Sequence, residues 1–396
     1  MSLLSAKLAR LTSVHAERSP KGGVEARPDH LHATVSPTAL RLEDRLHGPG
    51  FRQGRVPVGD ARIARAATVA KLALDEALHG VDTTRMLLVD TETTGLHGGS
   101  GTLPFVIGLA WFEGESLLVR QLFVPRPGQE RPFLTRLAER LHASSLLVTF
   151  NGKCFDWPLL RTRFAMNRIA LPPPLPHLDL LHCARRVFKR RLGATRLQDL
   201  EAQVLDFHRR DDISGAEIPA VYFDWLRSGR PAAIERVLEH NAQDLISMAA
   251  VLAELCRRFD APSEEDAAED CLGLARVADR CGDSARAASF ARAAVERSDD
   301  AEVSFEACAL LARLGVRAKA WDEAIGWLER AAALPSDHAA SAHLVLARVL
   351  EHGKKDFVRA LHHAKAGAAA EGHEASDRRL ARLARRAALC ALTSKR

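Results

Sequence analysis

Asp90-Thr91-Glu92 closes a short apolar run, Met86-Leu87-Leu88-Val89, and is followed by Thr93-Thr94-Gly95. The run reads as a buried strand that ends in two carboxylates one residue apart. Successive strand residues point to opposite faces, so Asp90 and Glu92 share a face, about 6–7 Å apart along the backbone. Acids held so close repel each other unless a cation lies between them. The pair is therefore either a strand end whose acids face water or half of a metal site whose other acids come from elsewhere in the chain.

Two later stretches supply such acids. Asp156 follows an apolar strand at residues 146–150 and the turn dipeptide Asn151-Gly152, which puts it in the first turn of a helix, where the helix dipole favours a carboxylate. His240 and Asp244 lie four residues apart in a long helical stretch and so share one face, a turn apart. Each feature alone is common: an acid at a helix start, or a solvated His-Asp face. All of them in one chain describe a cluster of hard oxygen ligands with an imidazole beside it.

The elements that must position these groups follow from pattern. Residues 105–112 and 117–124 are β-rich runs separated by Glu113-Gly114-Glu115, so with the opening strand they form an antiparallel meander. Residues 133–141 read as helix, 145–150 as strand and 155–166 as helix, with Pro158 tolerated in its first turn. Pro172-Pro173-Pro174-Leu175-Pro176 is a rigid connector. Residues 178–188, 197–205, 219–227 and 232–259 are helical. This is a mixed sheet followed by helices, an α/β domain over residues 83–257. Before it, residues 1–82 read as a loosely ordered basic arm with one helix at 61–78, broken by Ser19-Pro20-Lys21-Gly22-Gly23 and His47-Gly48-Pro49-Gly50. After a linker at 258–263, residues 264–396 are alanine-rich and helical throughout. Ala287, Ala324 and Ala360 fall in similar segments 37 and then 36 residues apart, close to the roughly 34-residue period of paired-helix repeats.

Composition narrows the class. With 47% hydrophobic and 27% charged residues the chain matches ordinary globular proteins, and no apolar stretch approaches the roughly 18–20 residues of a membrane span. Lys7 and Arg10 interrupt the early apolar residues, which argues against a secretory signal. Seven scattered cysteines, none in a Cys-x-x-Cys pair, argue for reduced thiols and a cytoplasmic setting. The net charge of +6 permits an anionic partner without demanding one.

Taken together, Asp90-Thr91-Glu92, the Asn151-to-Asp156 stretch and the His240/Asp244 pair resemble the DEDD superfamily of 3′→5′ exonucleases, which have the ribonuclease H-like fold. Pro176-His177-Leu178-Asp179-Leu180-Leu181-His182 and Glu239-His240-Asn241 look like the YprB-like branch, where tetratricopeptide tails also occur. The resemblance covers residues 83–257. It implies a nuclease that hydrolyses phosphodiesters of single-stranded DNA or RNA with two divalent cations, Mg²⁺ or Mn²⁺, about 3.5–4 Å apart. It assigns Asp90 to bridge the ions, Glu92 and Asp244 to complete the nucleophile side, Asp156 to hold the leaving-group side, and His240 to orient or deprotonate the attacking water. One departure stands out. Histidine-type members place their histidine five residues before the last aspartate and tyrosine-type members place tyrosine four before; this chain has a histidine at the tyrosine spacing, about 40° around the helix from Asp244.

Nucleic-acid contacts are expected from Thr94 and Gly95, which leave room for a substrate end, and from Asn151. Phe155 and Trp157 either stack on a terminal base or, for Phe155 above all, join the core. Arg185, Arg186, Lys189, Arg190 and Arg191 either track phosphates or form a solvated helix end. Asp179 reads as a helix cap or hydrogen-bond acceptor before it reads as a metal ligand. The helical tail is expected to bind a protein partner or to lengthen the nucleic-acid surface. Two rival readings remain: an inactive nucleic-acid-binding adaptor, and an endonuclease on structured RNA or hybrids.

Overall fold

A computed structural model of the chain describes residues 41–95 and 101–393. The order opens with strand β1 (Arg41–His47), the short pair β2 (Arg52–Gln53) and β3 (Val56–Pro57), and helix α1 (Ala66–Ala73). Then come β4 (Met86–Thr93), β5 (Pro104–Glu113), β6 (Ser116–Phe123), α2 (Arg131–His142), β7 (Leu146–Thr149), α3 (Asp156–Met166), β8 (His177–Asp179) and α4 (Leu180–Leu192). Helix α5 (Leu197–Leu200) runs into a π turn, Glu201–Leu205, and α6 (Ile218–Ser228) precedes the 30-residue α7 (Pro231–Asp260). The remainder is α8 (Ala268–Arg280), α9 (Ser284–Arg297), α10 (Ala301–Arg317), α11 (Trp321–Ala333), α12 (Ala339–Val349), α13 (Phe357–Ala366) and α14 (His373–Thr393).

The main sheet has the order β1-β6-β5-β4-β7-β8. The β4-β5-β6 meander is antiparallel, as the turn at Gly114 predicts, while β7 and β8 run parallel to β4. Two differences from the sequence reading concern the sheet edges. Residues 41–47 are a strand antiparallel to β6, so this part of the expected arm belongs to the domain, and Val56, Val58, Ala61 and Val69 lie in the same core as Met86 and Leu88. The expected helix at 61–78 is shorter, α1 being flanked by tight 3₁₀ turns at Val58–Ala61 and Glu76–Leu78. The other edge, β8, is three residues long and carries no alternation, which is why the pattern merged it with the following helix. Residues 1–40, 96–100 and 394–396 lie outside the described residues.

Alternation along β4 sorts the core. Leu87 and Val89 face α2 and α3, packing with Phe133, Leu137, Leu160 and Phe164. Met86 and Leu88 face α4 and α7, packing with Val187, Leu245 and Ala249. The period of two then places Asp90 and Glu92 on the α7 side and Thr91 on the α3 side.

Each helix from α8 to α14 packs on the next. Ala287, Ala324 and Ala360 are each the fourth residue of α9, α11 and α13 and are fully buried, so the spacing seen in the sequence marks equivalent places in three helices. The boundary at 258–263 is less of a division than the composition suggests. One core runs from the sheet through α4 and α7 into α8, α9 and α10. Gly273 of α8 lies so close to α4 that a Cβ there would sit 2.6 Å from the Val187 carbonyl oxygen. Among the described residues no helix is long and apolar enough to cross a membrane.

Candidate metal centre

Three elements bring the predicted acids to one place, at the ends of β4 and β7. Asp90 and Glu92 come from the last turn of the β4 pleat, where pairing with β5 shifts register between Glu92 and Thr93. Asp156 opens α3 on the opposite face of the sheet and is drawn round the strand end by Thr91, whose hydroxyl donates to Asp156 Oδ1. His240 and Asp244 come from α7, which crosses the near face.

On the α7 side, His240 Nε2 lies 3.6 Å from Asp244 Oδ2 and 4.0 Å from Glu92 Oε1. One ligand atom from each of Glu92, His240 and Asp244 falls within 4.8 Å of the others. The unusual four-residue spacing therefore does not separate the histidine from the acids.

The electrostatics are those of a site with too much negative charge. Burial raises Asp90 well above the usual carboxylate range, and the charges of Asp244 and Asp156 raise it further, against a hydrogen bond from Asn241. Burial likewise raises Glu92 well above its usual value, with Asp90, Asp244 and Asp156 adding to it. Asp156 is pushed up to about 6, chiefly by burial, although Thr91 stabilises its anion. A group of acids that resist ionising together is what a cation site looks like before the cation is counted.

Several residues of this site were not legible in the sequence. Asn241, fully buried beside His240, donates from Nδ2 to Asp90 Oδ2 at 2.8 Å, and its Oδ1 accepts from Gln121 Nε2 at 2.8 Å. It lies against Gly108 of β5, where a Cβ would come within 2.2 Å of the Asn241 oxygen. Arg209 donates to Asp244 and is shared with Glu201, at 2.7 Å, and Asp212, at 3.2 Å. Burial disfavours its charge, but hydrogen bonds and charge from Glu201 and Asp244 outweigh this and hold the guanidinium firmly protonated. Because Arg209 is divided among three carboxylates, its single positive charge does not balance the site. Asp212 Oδ1 lies 2.8 Å from His240 Nδ1. Asn241 stood in the sequence only as part of the Glu239-His240-Asn241 resemblance, with no role attached, and no motif marks Arg209 or Asp212, which sit in an irregular segment between α5 and α6.

The residues expected at a nucleic-acid surface fare unevenly. Phe155 is 54% exposed beside Asp156, so it is not a core residue, whereas Trp157 is partly buried edge-on to His177. Asn151 adopts φ 65°, and its backbone N–H donates to Asp179 Oδ1 at 2.7 Å. Asp179 also accepts from the Lys153 and Leu181 N–H groups, so it braces the turn and caps α4. Thr94 closes the β4–β5 ladder, its Oγ1 accepting from the Leu103 N–H, and Gly95 is half-buried beside it. The basic run is largely committed elsewhere: Arg186 to the Leu72 carbonyl, Arg190 to Glu306 and Arg191 to Asp270, all at the junction with α1 or the helical region. Arg185 and Lys189 are exposed.

Residues 87–256, which contain every acid of the site, match the RNase_H superfamily. The chain is also 30% identical over 289 residues to the uncharacterized protein YprB of Bacillus subtilis (strain 168), an overlap of 71% of this chain and 68% of the relative. With the acids of a mixed sheet converging as described, the chain belongs to the family of YprB and carries an RNase H superfamily domain.

Proposed function

We propose that this protein is a metal-dependent nuclease, a 3′→5′ exonuclease on single-stranded DNA or RNA. The observation that carries the reading is the convergence of Asp90, Glu92, Asp156 and Asp244 at one end of the sheet, with their charge uncompensated. Their hard oxygen donors suit Mg²⁺ or Mn²⁺. Asp90, Glu92 and Asp244 would hold one ion, and Asp90 with Asp156 a second. Bound there, two such ions lower the pKa of the attacking water and offset charge on the leaving oxygen.

The chain's own residues supply the positioning. Asn241 orients Asp90, Thr91 orients Asp156, and Arg209 fixes one oxygen of Asp244 so that the other faces Glu92 and His240. Exposed Phe155 offers a face on which a terminal base can stack next to the scissile bond. The order of the acids along the chain and their strand and helix contexts support the exonuclease form. The successive helices α8–α14, with their recurring buried alanines, support a tetratricopeptide-like region that docks a protein partner.

Incubation with 5′-labelled single-stranded DNA and RNA in Mg²⁺ or Mn²⁺ tests this. A ladder shortening from the 3′ end, lost in Asp90→Asn and Asp244→Asn, is expected. Binding without cleavage, unchanged by those substitutions, would identify an adaptor instead, and internal cuts in a duplex would identify an endonuclease.

A further inference from the structure

The two nitrogens of the His240 ring have different surroundings. Nδ1 lies 2.8 Å from Asp212 Oδ1. An ionised carboxylate only accepts, so Nδ1 carries the hydrogen and donates it. The Arg209 guanidinium, 3.3 Å from the same nitrogen, also only donates, so it cannot be a second partner of a protonated Nδ1; its Nη1 is directed instead to Asp212 Oδ2. With Nδ1 held by Asp212, Nε2 is the nitrogen turned toward the acids. Nε2 faces Asp244 Oδ2 at 3.6 Å and Glu92 Oε1 at 4.0 Å, both beyond hydrogen-bond reach. Nε2 and the two carboxylate oxygens thus converge on one place without bonding one another.

We propose that His240 is itself a ligand, through Nε2, of the divalent ion held by Glu92 and Asp244, that Asp212 is the residue positioning the ring for it, and that the site consequently prefers Mn²⁺ to Mg²⁺. This deepens the nuclease reading and rests on it. Around one ion with bonds of about 2.1 Å, neighbouring ligand atoms lie about 3 Å apart and opposite ones about 4 Å apart. The 3.6 and 4.0 Å separations fall in that range, and all three ligand atoms are within 4.8 Å of one another. A carboxylate holding the far nitrogen of a coordinated imidazole is a recurrent arrangement that fixes the tautomer and strengthens the donor. Mg²⁺ demands oxygen ligands and gives up water reluctantly, whereas first-row transition ions accept imidazole nitrogen. The one-turn spacing of His240 and Asp244 is then the spacing of two ligands on one helix face. In this arrangement His240 does not deprotonate the water, which is a different role from the one its family resemblance implies.

The test uses the full-length protein with MnCl₂ alone, without substrate, read by pulsed EPR for ¹⁴N coupling to bound Mn²⁺ and by titration for affinity. Wild type is expected to show ¹⁴N modulation that His240→Gln abolishes. Mn²⁺ affinity should fall about 10–100-fold in His240→Gln and about 10-fold in Asp212→Asn. Mg²⁺ affinity, measured by competition, should move less than about threefold, because that ion gains little from nitrogen. Mn²⁺ that binds in an Asp90-dependent way without ¹⁴N modulation overturns the proposal and leaves the carboxylate site standing. Modulation that persists in His240→Gln overturns it too, by tracing the nitrogen to another histidine such as the His343–His363 pair, whose Nδ1 atoms lie 3.0 Å apart. Mn²⁺ binding unaffected by both Asp90→Asn and Asp244→Asn removes the metal centre altogether.

Discussion

The Asn241 side chain donates to Asp90 at 2.8 Å from a position one residue beyond His240 on the same helix, and it is wedged against Gly108 on the neighbouring strand. Asp90, the acid proposed to bridge the site, is thus aimed by a neutral amide held between a sheet glutamine and a glycine gap. Asn241→Leu keeps the volume but leaves Asp90 and Gln121 without that partner. Loss of such an outer hydrogen bond is expected to lower metal affinity and nuclease rate about 10–100-fold. Gly108→Ala should produce the same phenotype without touching an acid, because its Cβ would displace the Asn241 amide. Metal titration alongside circular dichroism checks this; wild-type affinity in both variants would mean Asp90 is held by something else.

Asp156 should make the metal-free protein less stable as pH rises. Its carboxyl is pushed from the usual 3.8 to about 6, so the folded state takes up its proton more readily than the unfolded chain does. The contribution of this group to stability is therefore fully present below about pH 4 and is lost as pH climbs through 6, the reverse of a salt-bridged aspartate. Asp156→Asn removes the titration. Thermal melts without metal should show the variant gaining on wild type between pH 5 and pH 8, and a saturating divalent ion should abolish that gain while the variant stays inactive. A constant difference between the two across that range would show that Asp156 is not strained.

These contrasts explain what the sequence disclosed. The four acids and His240 were legible because each sits at a regular place: a strand end, a helix start, one face of a long helix. Thr91, Asn241 and Gly108 are ordinary residue types whose roles exist only once α7 crosses the sheet. Arg209 and Asp212 lie where no periodicity constrains the chain, so only the folded structure joins them to His240 and Asp244. Within the basic run at 185–191, the intrachain partners of Arg186, Arg190 and Arg191 were hidden for a related reason. A charge pattern cannot reveal that a helix arriving 79 residues later brings Asp270 to Arg191.

Phe155 and the basic run can be separated by salt. Phe155→Ala should leave the melting temperature unchanged, since the ring is more than half exposed, yet weaken single-strand binding by the roughly 1–3 kcal/mol of one stacked base. Replacing Arg185 and Lys189 together should flatten the salt dependence of binding if they touch phosphates. Arg191→Ala should instead lower stability, because it deprives the buried Asp270 of a partner. Fluorescence anisotropy across a salt series distinguishes the three, and an unchanged affinity in Phe155→Ala would remove the stacking role.

The ion network at the end of α7 decides whether the helical region can be detached. Arg258, buried, donates to Glu254 at 2.7 Å and to Asp270 at 3.0 Å, and Asp266 lies 3.2 Å away. Breaking a buried pair on one side strands the remaining charges, so Arg258→Ala is expected to destabilise the chain by about 3–5 kcal/mol. Truncation before residue 264 does the same from the other side. It removes Asp266 and Asp270, and it also bares the face of α4 on which α8 packs, including Val187 and the fully buried Phe188. Such a chain should aggregate or melt well below wild type. Truncation after residue 334 should fold, because α12–α14 contribute mainly to a separate apolar cluster around Leu346 and Leu350. A partner that binds the full chain but not the 334-residue form, with nuclease activity retained, would place the docking surface on those last helices. If the chain cut before residue 264 proved as stable and as active as wild type, the shared core would be a contact surface rather than part of one folding unit.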